Sequence, residues 1–130
     1  MTVVEYPNMR CDVLDSLAVL SDTEYQRRAW IERQGFKAGG FDNFDYHIDV
    51  LYDDTEVLPN PEDSLGTVLL PGDEIERLRA VGAILDQLLD RHGDAGDEVF
   101  ISDTQWPSVV SAASVALAAM IRAGGLRVVL

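Results

Sequence analysis

FDNFDYHIDVLYDD, residues 41–54, is the stretch on which the fold turns. Phe44, Tyr46, Ile48, Val50 and Tyr52 alternate as they would on a strand, while Phe41, Phe44, Ile48, Leu51 and Tyr52 share one face of a helix. Two features favour the helix. Asp42 is a good N-cap with further acids in the next turn, where the helix dipole welcomes negative charge. Aspartate is also depleted from strands, and Asp45, Asp49, Asp53 and Asp54 would crowd one strand. On the helix, Asp42, Asp45, Asp49, Asp53 and Glu56 have a 3, 4, 4, 3 spacing and fall within an arc of about 80°.

Such a stripe is poorly explained by stability. Like charges at i,i+4 cost a few tenths of a kcal/mol per pair, and acids late in a helix oppose its dipole. The stripe also sits inside a wider bias, since residues 38–76 carry eleven carboxylates and no lysine or arginine. A cationic partner is the natural counterpart of that surface. The expected contact residues are Asp42, Asp45, Asp49, Asp53, Asp54, Glu56, Glu62 and Asp63, with Tyr46 and Tyr52 adding area that carboxylates cannot supply.

On the N-terminal side, residues 8–20 repeat apolar side chains at helical spacing, with Asn8 as the expected N-cap. Ser21-Asp22-Thr23-Glu24 matches a capping box and opens a second helix to about residue 34, which Gly35 ends. Residues 58–64 read as a connector and 66–70 as a short apolar piece. Ile75, Leu78, Val81, Leu85, Leu88 and Leu89 mark the buried face of a long helix over 73–92, with Asp73, Glu74 and Glu76 at its favourable end and Gly93 as its stop. Residues 98–102 read as extended. Asp103 or Thr104 then caps a last helix whose inner face is Trp106, Val109, Val110, Ala113, Leu117, Met120 and Ile121, ending at the glycine pair 124–125. Residues 1–7 and 126–130 are expected to be extended arms, able to pair with each other. The whole chain, 1–130, is thus expected to be a single-domain all-α bundle of four to five helices with minor short strands at the termini.

Composition narrows the function classes. The chain of 130 residues is 47 % hydrophobic and 25 % charged, values ordinary for one folded domain. Its formal charge of −13 disfavours nucleic acid and anionic membranes as ligands and favours basic proteins. The N-terminus has neither the basic region nor the apolar run of a signal peptide, so a cytoplasmic location is expected. Cys11 is the lone cysteine, which rules out an intrachain disulfide.

The sequence holds no G-x-S-x-G, phosphate-binding loop, dinucleotide fingerprint or cysteine pair. Asp45-x-His47-x-Asp49 would align three metal ligands on a strand, but a helix turns His47 about 140° to 200° away from the two aspartates. Asp90-x-His92-x-Asp94 lacks the glycine position and terminal acid of a calcium loop. His92 suits a helix C-terminus, and Trp30 and Trp106 suit the core. The expectation is a non-catalytic protein with no catalytic residues, no metal and no cofactor.

VLSDTEYQRRAWIE (19–32), DVLYDDT (49–55), GTVLL (66–70) and WPSVV (106–110) resemble a family of short actinobacterial proteins of helical character. That resemblance implies a helical fold and no particular activity. In size, acidity and lack of catalytic motifs the chain is also similar to immunity proteins of contact-dependent growth inhibition and other polymorphic toxin systems. This second likeness implies an antitoxin-like protein that neutralises a basic, nuclease-like toxin domain. The alternative is a regulatory or scaffold domain that binds another cellular protein or assembles with itself.

Overall fold

In the computed structural model the described residues are 4–33 and 42–124. Helix α1 is Pro7–Leu20, and α2, Thr23–Gln26, runs on into a π-helical turn, Arg27–Ile31. Helix α3 is Phe44–Asp49 and continues as a second π-helical turn, Val50–Asp54. A 3-10 turn, Pro61–Ser64, precedes α4, Asp73–His92; the short α5, Asp97–Ile101, and the long α6, Trp106–Arg122, complete the order. The all-α class is as expected, with an isolated bridge between Leu65 and Leu69 as the β pairing among the described residues. The α-helix count there is six, not four or five, because residues read as extended form α5. Phe100 explains this: it is buried on α5 and stacks at 4.6 Å on Phe44, a contact that overrides local propensity.

The core is built from three apolar stripes. Val13, Leu17 and Leu20 of α1, Leu78, Val81, Leu85 and Leu88 of α4, and Val109, Ala113, Ala116 and Met120 of α6 are all fully buried. Helix α6 packs against α4 and α1, and its alanines allow the close approach that larger side chains would prevent. Ile121, expected on the inner face, is 59 % exposed; Ala116 and Ala119 take its place. At the other end Trp30, Phe44, Phe100 and Trp106 form an aromatic cluster. Gln26 links it to the helices: its amide donates to the carbonyls of Val19 and Leu20, and its Oε1 accepts from Trp106 Nε1 at 3.0 Å.

Caps lie close to the expected places, with shifts. Tyr6 precedes α1 with Pro7 opening it, in place of the Asn8 cap. Asp22, not Ser21, caps α2 by accepting from Tyr25 N, while Ser21 Oγ donates to the Ala18 carbonyl. Asn43, not Asp42, caps α3 by accepting from Tyr46 N at 2.7 Å. Asp103 accepts from Gln105 N, His92 Nε2 and Arg91 Nη1, which joins the end of α4 to the start of α6. These donors, the Gln105 amide first, hold its carboxyl well below the usual range.

The N-terminal arm pairs with the short apolar piece: Glu5 N donates to Gly66 O and Tyr6 N to Thr67 O, at 3.0 and 2.8 Å. The expected extended tail 126–130, its pairing with the arm, and the glycine stop at 35 lie outside the described residues. No helix among the described residues is long and apolar enough to cross a membrane.

Gly82 sits where α4 passes under the connector. A Cβ there would lie 3.0 Å from Leu58 Cδ2. The Gly82→Val variant is therefore expected to lose about 1–3 kcal/mol in urea denaturation, the usual cost of overpacking. A loss below about 0.5 kcal/mol, the range of an unstrained surface change, would mean that Leu58 swings aside freely.

Candidate functional site

The α3 segment presents two chemically different faces. Its inward face starts at Asp42, which was expected to head the exposed stripe and instead turns into the protein. Asp42 accepts from His47 Nε2 at 2.8 and 2.9 Å, Trp30 Nε1 at 2.9 Å and Tyr25 OH at 3.1 Å. The physical reason is the cap: with Asn43 opening the helix, Asp42 precedes it and is free to point at the aromatic cluster. Burial would raise the Asp42 carboxyl, but hydrogen bonds from His47 and Trp30, with Tyr25 assisting, outweigh it and hold the group below its ordinary value of 3.8.

His47 extends this network. A carboxylate only accepts, so Nε2 carries the proton toward Asp42, and in the neutral ring Nδ1 accepts from Ser16 Oγ at 2.9 Å. Serine, histidine and aspartate are thus joined in series, with Ser16 1 % exposed on the inner face of α1. The series braces α1 against α3. Asp45 and Asp49 stay exposed while His47 is buried, so Asp45-x-His47-x-Asp49 diverges as helical geometry requires. Among the described residues no group of three or more acidic, histidine or cysteine side chains could hold a metal ion.

The outward face carries the other acids. Asp45, Asp49, Asp53, Asp54, Glu56, Glu62 and Asp63 are all exposed, as is Tyr46. Glu62 pairs with Arg79 at 2.9 Å; among the described residues no ion pair falls on the other six. The α-helical phase of the stripe does not persist, because Thr55 N bonds to Val50 O and widens the last turn by one residue. That insertion rotates the downstream residues by about 100°. Glu56 then adopts φ 56°, a left-handed conformation, and Thr55 Oγ1 closes the Val50 carbonyl at 2.7 Å.

Asp54 and Glu56 line a cleft of about 450 Å³, joined by Asp63 from the 3-10 turn. Met9, Leu58 and Val68 line it too, and so do Tyr6 and Tyr52. Tyr52 is anchored by donating to Asp86 of α4 at 2.5 Å; burial, then the Asp86 bond, pushes its phenol far above the usual value. The structure thus gathers Asp54, Glu56, Asp63 and Tyr52 at one cleft, leaves Asp45, Asp49, Asp53 and Tyr46 on the open face, and withdraws Asp42. Tyr6, Met9, Leu58 and Val68 were not expected there. Their positions in the sequence carry no signal of it, since Leu58 and Val68 lie inside the acidic stretch and Tyr6 and Met9 belong to the N-terminal segment.

The model of a family described as a domain of unknown function (DUF7945) matches residues 4–125, so the chain belongs to that family. No curated protein and no solved structure matches the chain.

Proposed function

We propose that this DUF7945 member is a non-catalytic protein-binding protein that works in the bacterial cytoplasm and engages a basic protein through its acidic face, as an immunity or antitoxin protein engages a nuclease-like toxin domain. One observation carries the reading: seven exposed carboxylates on residues 45–63 meet a single intrachain cation, Arg79, among the described residues. Such a concentration raises the encounter rate with a cationic surface and can occupy a groove built for phosphates. The face is set on helix and tight turns anchored through Phe44, Tyr52 and Thr55, so its charges are held in place before any partner arrives.

The test is affinity capture from lysate of the source organism, run at low and moderate salt, with wild-type bait beside Asp45→Lys/Asp49→Lys/Asp53→Lys. The expected result is a stoichiometric basic partner on the wild type, weakened by salt and lost on the variant. The variant should fold normally, since the three side chains are exposed and reversing them relieves like-charge repulsion. Equal capture by both baits, or recovery of a neutral enzyme insensitive to salt, would remove this reading.

A further inference from the structure

We infer that the cleft beside the start of α1 is a receptor for one arginine side chain presented by the partner. The inference rests on the proposed function for there being a protein partner; the occupant is argued from the cleft itself. A volume of about 450 Å³ lies at the small end of ligand pockets, enough for a side chain and its flanking backbone.

The lining divides by chemistry. Met9, Leu58 and Val68 offer apolar contact, and Asp54, Glu56 and Asp63 bring three carboxylates. An arginine carries both matching chemistries, an apolar stem and a charged planar head. These three acids have no intrachain cation among the described residues, since Arg79 engages Glu62 and Glu76. An anion would be repelled, and a neutral ligand would leave three carboxylates facing it without a counter-charge. A metal ion is too small: no three acids among the described residues converge closely enough to hold one. A guanidinium instead offers a fork of donors that can pair with more than one carboxylate. Tyrosine is the second reason for arginine over lysine, because a planar cation also stacks on the aromatic rings that Tyr6 and Tyr52 contribute.

The receptor is already shaped. The backbone of Tyr6 is held by its bond to Thr67 O, the Tyr52 side chain by Asp86, and the connector by Ser64 Oγ donating to Glu56 O at 3.4 Å. Little ordering is left for the bound state.

The experiment is an amide NMR titration of the full chain with a short capped Gly-Arg-Gly peptide, beside the same peptide carrying citrulline, arginine's neutral counterpart. The arginine peptide is expected to shift the amides of Thr55, Asn60, Ser64 and Thr67, and the citrulline peptide to bind at least about tenfold more weakly, as the loss of a charge-assisted pair predicts. Asp54→Asn/Glu56→Gln/Asp63→Asn should weaken the arginine peptide to the same degree. Equal binding of the two peptides, or shifts confined to residues 45–53, would overturn the receptor. If the triple neutral variant still captures the basic partner while Asp45→Lys/Asp49→Lys/Asp53→Lys does not, the receptor is overturned and the proposed function stands. If the arginine peptide binds the cleft but no basic partner is captured, the proposed function falls and the arginine site remains.

Discussion

Replacing Glu74 with alanine is expected to cost about 3–5 kcal/mol of folding stability, the usual consequence of breaking a buried ion pair on one side. Arg10 and Glu74 are 2 % and 1 % exposed and meet through two parallel bonds of 2.6 and 2.9 Å. Arg10 also donates to the carbonyls of Val68 and Met120, and Glu74 accepts from Leu70 N at 2.8 Å. The pair therefore ties the first turn of α1 to the first turn of α4, the last turns of α6 and the apolar piece that contributes Val68 to the cleft. Alanine at 74 takes both carboxylate bonds from a guanidinium that is 2 % exposed and leaves the Leu70 amide without its acceptor. Against a total stability of about 5–15 kcal/mol, that loss should be plain in a urea midpoint. The double change Arg10→Met/Glu74→Leu should recover most of it, because removing both charges also removes their desolvation cost. A loss under about 1 kcal/mol for Glu74→Ala, the value of an exposed pair, would contradict the buried geometry.

The Asp42→Ala variant is expected to lose about 2–4 kcal/mol, since it leaves two buried donors, His47 Nε2–H and Trp30 Nε1–H, without an acceptor at about 1–3 kcal/mol each. Tyr25 OH adds little because that residue is partly exposed and finds water. The loss should depend on pH. The folded carboxyl is held below its ordinary value of 3.8, so the stabilisation it brings is fully present above that value and disappears as pH falls through the folded pKa. Thermal melts of wild type and variant should therefore differ most near neutrality and converge in acid, below about pH 4. A gap that stays constant down to strong acid would mean that Asp42 is not the ionised acceptor of the network.

Long periodic elements were legible in the sequence because many residues vote on them. Helix α4 spans the expected 73–92, with its acids at the N-terminus and Gly93 past its end. The helical reading of 41–54 holds over the described 44–54, and with it the divergence of His47 from Asp45 and Asp49. Single-residue effects were not legible. Either Asp42 or Asn43 could cap α3, and only tertiary demand from Trp30 and His47 decides between them. The π turns close through widened bonds, among them Thr55 N to Val50 O and Glu32 N to Arg27 O, which leave no mark on a short hydrophobic pattern. The buried pair did leave a trace. Arg10 lies in phase with Val13, Leu17 and Leu20, and Glu74 in phase with Leu78, Val81 and Leu85, so a charge on each apolar stripe announced a partner. Their separation of 64 in sequence hid which partner it was.

The proposed function stands or falls on the acidic face of residues 45–63 binding a cationic protein. Calorimetric titration of the captured partner into the purified chain at rising ionic strength measures this, as the screening length shrinks from about 30 Å at 0.01 M to about 8 Å at 0.15 M salt. Wild-type affinity is expected to fall steeply across that range, and Asp45→Lys/Asp49→Lys/Asp53→Lys to retain only weak, nearly salt-independent binding. Affinity indifferent to salt and unchanged in the variant would show that the acidic face is not the binding surface.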